Sequence, residues 1–174
     1  FARDGDLVPL SLAQSSELSV LTTYGYSRAT LVESDTRRGI GLLKINIKSI
    51  PLFIADKKPD EADAIFPAGY STQEGADKKP TLKFMEGFVK ESTAAGMKIS
   101  PEVDGSMLGS AVLNSRAEAV GVLVGDTQKL SSVVPLSAGD SIFRKYAPTK
   151  IENGKQRATR ATIELSVVKI YKKK

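Results

Sequence analysis

Residues 104–126 read DGSMLGSAVLNSRAEAVGVLVGD. They give a Gly-rich turn at Asp104, Gly105 and Ser106, a strand at Ala111, Val112 and Leu113, a turn over Asn114, Ser115 and Arg116, and a second strand at 119–124 closed by Gly125. A short glycine-bearing turn that feeds apolar residues into a paired strand presents backbone N–H groups and one side chain outward from a rigid sheet. Punctuation of this kind is frequent along the chain, and patterns of helical period are few. Residues 18–24 and 26–33 are rich in β-branched and aromatic types on either side of Gly25, which predicts two strands and a turn. Strands are also expected at 42–47 and 65–70, with 50–54 extended and 55–64 a charged loop. Residues 71–80 read as a polar linker or long loop, and 92–104 as small, polar loops. The chain is read as all-β.

Cysteine and histidine are both absent from the 174 residues. That excludes disulfides and thiolate metal sites, and it removes the usual ligands for transition metals. No loop has the alternating acidic spacing of a Ca²⁺ or Mg²⁺ site, so neither a metal nor another cofactor is expected. No apolar run approaches the roughly 18 residues of a transmembrane helix. Phe1 begins inside what reads as a folded domain without a signal-peptide pattern, as expected of a mature or trimmed chain. With 41% hydrophobic and 26% charged residues, the balance is that of a globular domain with a core.

Gly109-Ser110-Ala111-Val112-Leu113-Asn114 resembles the segment after the catalytic serine of trypsin-like proteases, especially the HtrA/Deg group, where Gly-Asn-Ser-Gly-Gly-Pro/Ala runs into a strand of Val-Leu-Asn type. On that pattern Leu108 stands where the nucleophilic serine belongs. Residues 29–45, ATLVESDTRRGIGLLKI, look like the HtrA segment that ends Asp-Leu-Ala-Leu-Leu-Lys-Ile. Asp35 matches its first acidic residue, Leu42-Leu43-Lys44-Ile45 its strand, and Gly39 the triad aspartate. FARDGDLVPLSLAQ at the amino end is similar to the family's strand, turn and strand leading to the catalytic histidine, with Asp4-Gly5 on the turn and Leu12 on the histidine. The resemblance spans residues 1–143, and the order and spacing of short motifs carry it.

This resemblance implies a trypsin-like double antiparallel β-barrel. The first barrel would cover 1–70, without the strand that precedes the position of Phe1 in the family and with 65–70 as its last strand. An inter-barrel loop would follow at 71–80, a second barrel at 81–143, a short helix near 137–146, and a basic hairpin or tail at 144–174, with no PDZ domain. The triad positions Leu12, Gly39 and Leu108 are expected to meet in the cleft between barrels. All three are substituted, and a Ser-His-Asp mechanism needs an imidazole to take the serine proton near neutral pH. The implied function is therefore that of a pseudoprotease acting as a protein-binding or scaffolding subunit, extracytoplasmic by family resemblance, in a periplasm or an organelle lumen. An unorthodox hydrolase is the alternative, with Ser106 or Ser110 attacking and Lys98 or Lys44 as base. Moving a nucleophile two positions in so tight a turn takes it away from oxyanion donors, which must lie about 3 Å from the developing charge.

Two surfaces are candidates for binding. Gly121, Val122, Leu123, Val124 and Gly125 fall where the family pairs substrate backbone with a strand edge, and they form either an open edge for an extended peptide or a plain core strand. The tail from 144 to 174 carries ten Lys or Arg against two acids, a balance of +8, so with the whole chain at +5 residues 1–143 carry −3. Asn153-Gly154 signals a hairpin turn, and 159–171 alternates as a strand does. Arg157, Arg160, Lys172, Lys173 and Lys174 suit nucleic acid, an anionic membrane surface or an acidic protein partner. A solvated strand edge guarded by lysines is the other reading.

Overall fold

Side-chain burial alternates along 97–104 and is nearly continuous along 119–124 in this computed structural model, which describes residues 18–22, 25–35, 37–38, 40–46, 52–71, 81–107, 109–124, 129–136 and 169–172. The described strands are β1 (Leu18–Thr22), β2 (Gly25–Asp35), β3 (Ile40–Ile45), β4 (Ala64–Ser71), β5 (Thr81–Phe84) and β6 (Gly87–Ser92). They continue with β7 (Met97–Asp104), β8 (Ala111–Asn114), β9 (Ala119–Val124), β10 (Lys129–Pro135) and β11 (Lys169–Lys172). Among the described residues the only helical element is the three-residue 3-10 turn Gly105–Met107. None of them forms a helix long and apolar enough to cross a membrane.

All the ladders between these strands are antiparallel, and they make two sheets. The smaller has the order β11-β1-β2-β3. The larger has the order β5-β4-β6-β7-β10-β9-β8, and β4 also pairs with β8. That extra pairing closes β4, β6, β7, β10, β9 and β8 into a six-stranded barrel. Each barrel strand sends at least one fully or nearly fully buried residue to a shared interior, among them Ile65, Val89, Ile99, Val112, Leu123 and Val133. Removing such a side chain from water stabilises the fold by roughly 1.5–3 kcal/mol. Gly121 belongs to this interior because a Cβ there would overlap Val133 Cγ1 and stand 2.8 Å from the Val134 carbonyl oxygen.

Leu18 and Ala29 form the buried centre of the smaller sheet, with Leu43 and Ile45 against them. Its β2–β3 ladder shifts between Leu31 and Glu33, which makes Val32 an extra residue and leaves it exposed. The sheet meets the barrel where Leu42 of β3 packs with Ile54 and Val134 against Val122 and Leu136. Beside this contact the chain runs parallel to the start of β9: the Ala119 N–H donates to the Phe53 carbonyl at 2.7 Å, and the Ala55 N–H to the Ala119 carbonyl at 3.0 Å.

Several boundaries differ from the sequence reading. The 65–70 strand is not the last of the first barrel; as β4 it pairs with β5, β6 and β8 in the larger one. A strand pattern does not say which sheet it joins, and this one is claimed by a partner far along the chain, with Phe66 opposite Leu113. Ser71 and Thr81, at the two ends of the expected inter-barrel loop, are cross-strand partners in the larger sheet, and residues 72–80 lie outside the described residues. The chain crosses from the smaller sheet to the larger between β3 and β4, and β11 lies back in the smaller one. Loops were expected at 92–104, but Met97, Ile99 and Val103 are buried and Lys98 and Glu102 exposed along β7. Its ladder to β10 shifts between Leu130 and Ser132, which lets a strand pass through Pro101. The helix near 137–146 lies outside the described residues, and of the basic tail only β11 lies within them, where it pairs with β1.

Candidate functional site

The loop that would carry a nucleophile runs from β7 into β8. Its centre is turned inward: the Met107 side chain is fully buried in the barrel core. The Met107 carbonyl accepts the Ser110 N–H at 2.9 Å, which closes the turn behind the 3-10 segment. Gly109 follows with a positive φ of 78°, a conformation open to glycine at little cost. Its N–H donates to the Leu123 carbonyl, and the Leu123 N–H donates back to the Ser110 carbonyl, both at 2.9 Å. The loop is thus stitched to β9 directly after position 108.

Ser110 is 9% exposed, and its side chain fills the space that a Cβ on Gly69 would need. It packs against Gly69 of β4, with the Met107 methyl close to the same spot. Lys98, the base of the alternative mechanism, projects from the exposed side of β7 into a 2.8 Å ion pair with Glu91. Leu12, Gly39 and Leu108 lie outside the described residues, so their expected meeting is not placed. The neighbours of Gly39 are placed. Asp35 accepts the N–H groups of Arg37 and Arg38 at 3.1 Å and pairs with Arg38 Nε at 2.7 Å. The Arg38 guanidinium beside it, with those backbone donors, holds the Asp35 carboxyl below its ordinary value.

The edge expected at 121–125 is not open over its described part. Gly121, Val122, Leu123 and Val124 each pair with β10, and on the other side β8 and the 109–110 turn take the same strand. A strand with neighbours on both sides accepts no further one, so Gly121, Val122, Leu123 and Val124 form a core strand. Gly125 lies outside the described residues, as do Arg157, Arg160, Lys173 and Lys174. Lys172 is in β11, opposite Leu18.

One feature had no sequence signal beyond a charged loop and a hairpin turn. A cleft of about 240 Å³ lies between them, lined by Lys57, Lys58, Asp63, Asn114, Ser115 and Arg116 among others. Its cations are largely balanced, Lys57 by Asp60 at 2.6 Å and Arg116 by Glu118 at 2.8 Å. Asn114 shapes the turn by accepting the N–H groups of Arg116 and Glu118. Among the described residues no group of three or more carboxylates is placed to hold a metal ion.

A closed antiparallel barrel beside a second antiparallel sheet is a fold found among solved proteases. The Rv3671c protease in its inactive form superposes with a TM-score of 0.53 at 12% identity, over 78% of this chain and 92% of that one. The fold is that of the trypsin-like proteases. The MamO protease domain from Magnetospirillum magneticum, in its apo form, matches with a TM-score of 0.48 at 20% identity, over 67% of this chain and 69% of that one. No protein-family model and no curated protein sequence matches the chain. At these identities the likeness is one of trypsin-like fold, and chemistry has to be argued from the residues.

Proposed function

We propose that this chain is a catalytically inactive trypsin-like domain, a pseudoprotease, that works as a protein-binding or scaffolding subunit. The observation that carries the reading is the absence of histidine from all 174 residues. A serine hydroxyl near neutral pH needs a base to take its proton, and in this mechanism imidazole is that base. The motif resemblance adds Leu12, Gly39 and Leu108 at the three triad positions, none of which can fill its triad role. The buried Ser110 side chain and the outward ion pair of Lys98 speak against a Ser110–Lys98 pair as nucleophile and base. What such a domain retains is a rigid β scaffold with surfaces for partners.

Incubation of the intact protein with casein tests the inactivity, and no cleavage is expected. Cleavage blocked by a serine-directed inhibitor would overturn the reading. Restoring Leu12→His, Gly39→Asp and Leu108→Ser together should yield at most a trace of activity, because a triad depends on geometry as well as identity. The binding half is tested by replacing Arg157, Arg160, Lys172, Lys173 and Lys174 with glutamine and measuring capture of the native partner at low and high salt. Unchanged capture at both removes the tail from the account.

A further inference from the structure

The ladder along β4 points to an interface between copies of this chain, on grounds independent of the inactive-protease reading. β5 pairs with β4 from Ala68 opposite Phe84 to Ser71 opposite Thr81, and β6 pairs with it at Ala64 opposite Phe88 and Ile65 opposite Gly87. Between them the Met85 N–H donates to the Pro67 carbonyl at 3.0 Å. A single register runs through all of these pairs, so residues 81–92 form one continuous strand beside β4. Its second half has β7 as a further neighbour from Phe88 onward. Its first half ends the sheet and has no second neighbour among the described residues.

Backbone groups in an antiparallel strand alternate between its two sides. Met85 spends its N–H on β4, so Leu82, Phe84 and Glu86 direct theirs to the open edge. Phe84 is 37% exposed on that edge, and Phe88, at 48%, follows on the same face. Natural sheets blunt, cover or pair such an edge.

We propose that this edge pairs antiparallel with the same edge of a second copy of the chain, across a two-fold axis at Phe84. That register sets Phe84 opposite Phe84, Leu82 opposite Glu86, and Lys83 opposite Met85. Aromatic rings meet across the axis, no like charges face each other, and every outward backbone group finds a partner. An axis at Lys83 opposes two lysines, and one at Met85 sets Phe84 against Glu86. The interface is short, so association is weak and depends on concentration.

Sedimentation equilibrium of the intact protein, from about 1 μM to about 500 μM, reads this directly. A monomer–dimer equilibrium is expected. Phe84→Lys, which places two ammonium groups on the axis, should weaken it at least about tenfold. Phe84→Pro removes an outward N–H and spares the Met85 bond to β4, so it should abolish the dimer while the circular dichroism and melting temperature stay near those of the parent. A parent that remains monomeric over the whole range, a trimer or larger closed assembly, or a folded Phe84→Pro protein that dimerises as the parent does would overturn the proposal.

Discussion

Gly69 and Ser110 determine each other. A methyl group at Gly69 would overlap the Ser110 Oγ and stand 2.5 Å from its Cβ, beside the position where Ala68 pairs with Ala111. Gly69→Ala should therefore destabilise the fold by about 3 kcal/mol in urea unfolding, the upper end of ordinary overpacking. Ser110→Ala in the same molecule should recover little, since the Cβ clash remains, whereas Ser110→Gly should recover much of the loss. The same measurement shows how tightly the packing of Ser110 fixes glycine at position 69. Asp35 gives a pH-dependent counterpart. Its carboxyl is lowered first by the Arg38 side-chain bond and then by the Arg38 backbone donor. A carboxylate lowered in the folded state adds stability that is fully present above its unfolded value near pH 4 and is lost as pH falls through the folded value. Asp35→Asn should thus lower the melting temperature at pH 7, and the gap should close as pH drops below about 4.

Local chemistry made some elements legible in the sequence. The turn at Asn114 announces itself because its short side chain bonds the backbone ahead of it, and the apolar runs on either side became β8 and β9. β1, β2 and β3 were visible for a similar reason, as β-branched and apolar runs between turn residues. β7 was hidden by Pro101 and by its small polar lead-in, because the shift in its ladder to β10 that accommodates them is a tertiary feature. The membership of β4 was hidden too, since the β8 partners of Phe66 and Ala68, Leu113 and Ala111, lie far along the chain. Of the candidate site, the assignment of Leu12, Gly39 and Leu108 to triad positions rests on a family resemblance alone and lies outside the described residues, whereas the burial of Ser110 needed Gly69 beside it. β11 is an element-scale surprise, for it brings the carboxy-terminal strand onto β1, in a sheet for which the sequence reading expected a missing strand. Deleting residues 169–174 should bare the β1 edge and raise hydrogen exchange in β1 by about tenfold or more, with the barrel amides little changed. Equal protection of β1 in the parent and the truncated chain would contradict that pairing.

For the molecule as a whole, the trypsin-like fold is a scaffold that can outlive its chemistry. The barrel needs its buried alternation and its close glycine contacts, and none of these requires a triad. A chain without histidine can keep every one of them. The central claim is that no serine in this protein is activated, and a fluorophosphonate probe tests it most directly because it reports nucleophilicity without presuming a substrate. Intact mass after exposure to the probe should show the unmodified protein alone. A single covalent adduct that disappears in the Ser106→Ala or Ser110→Ala variant would contradict the account.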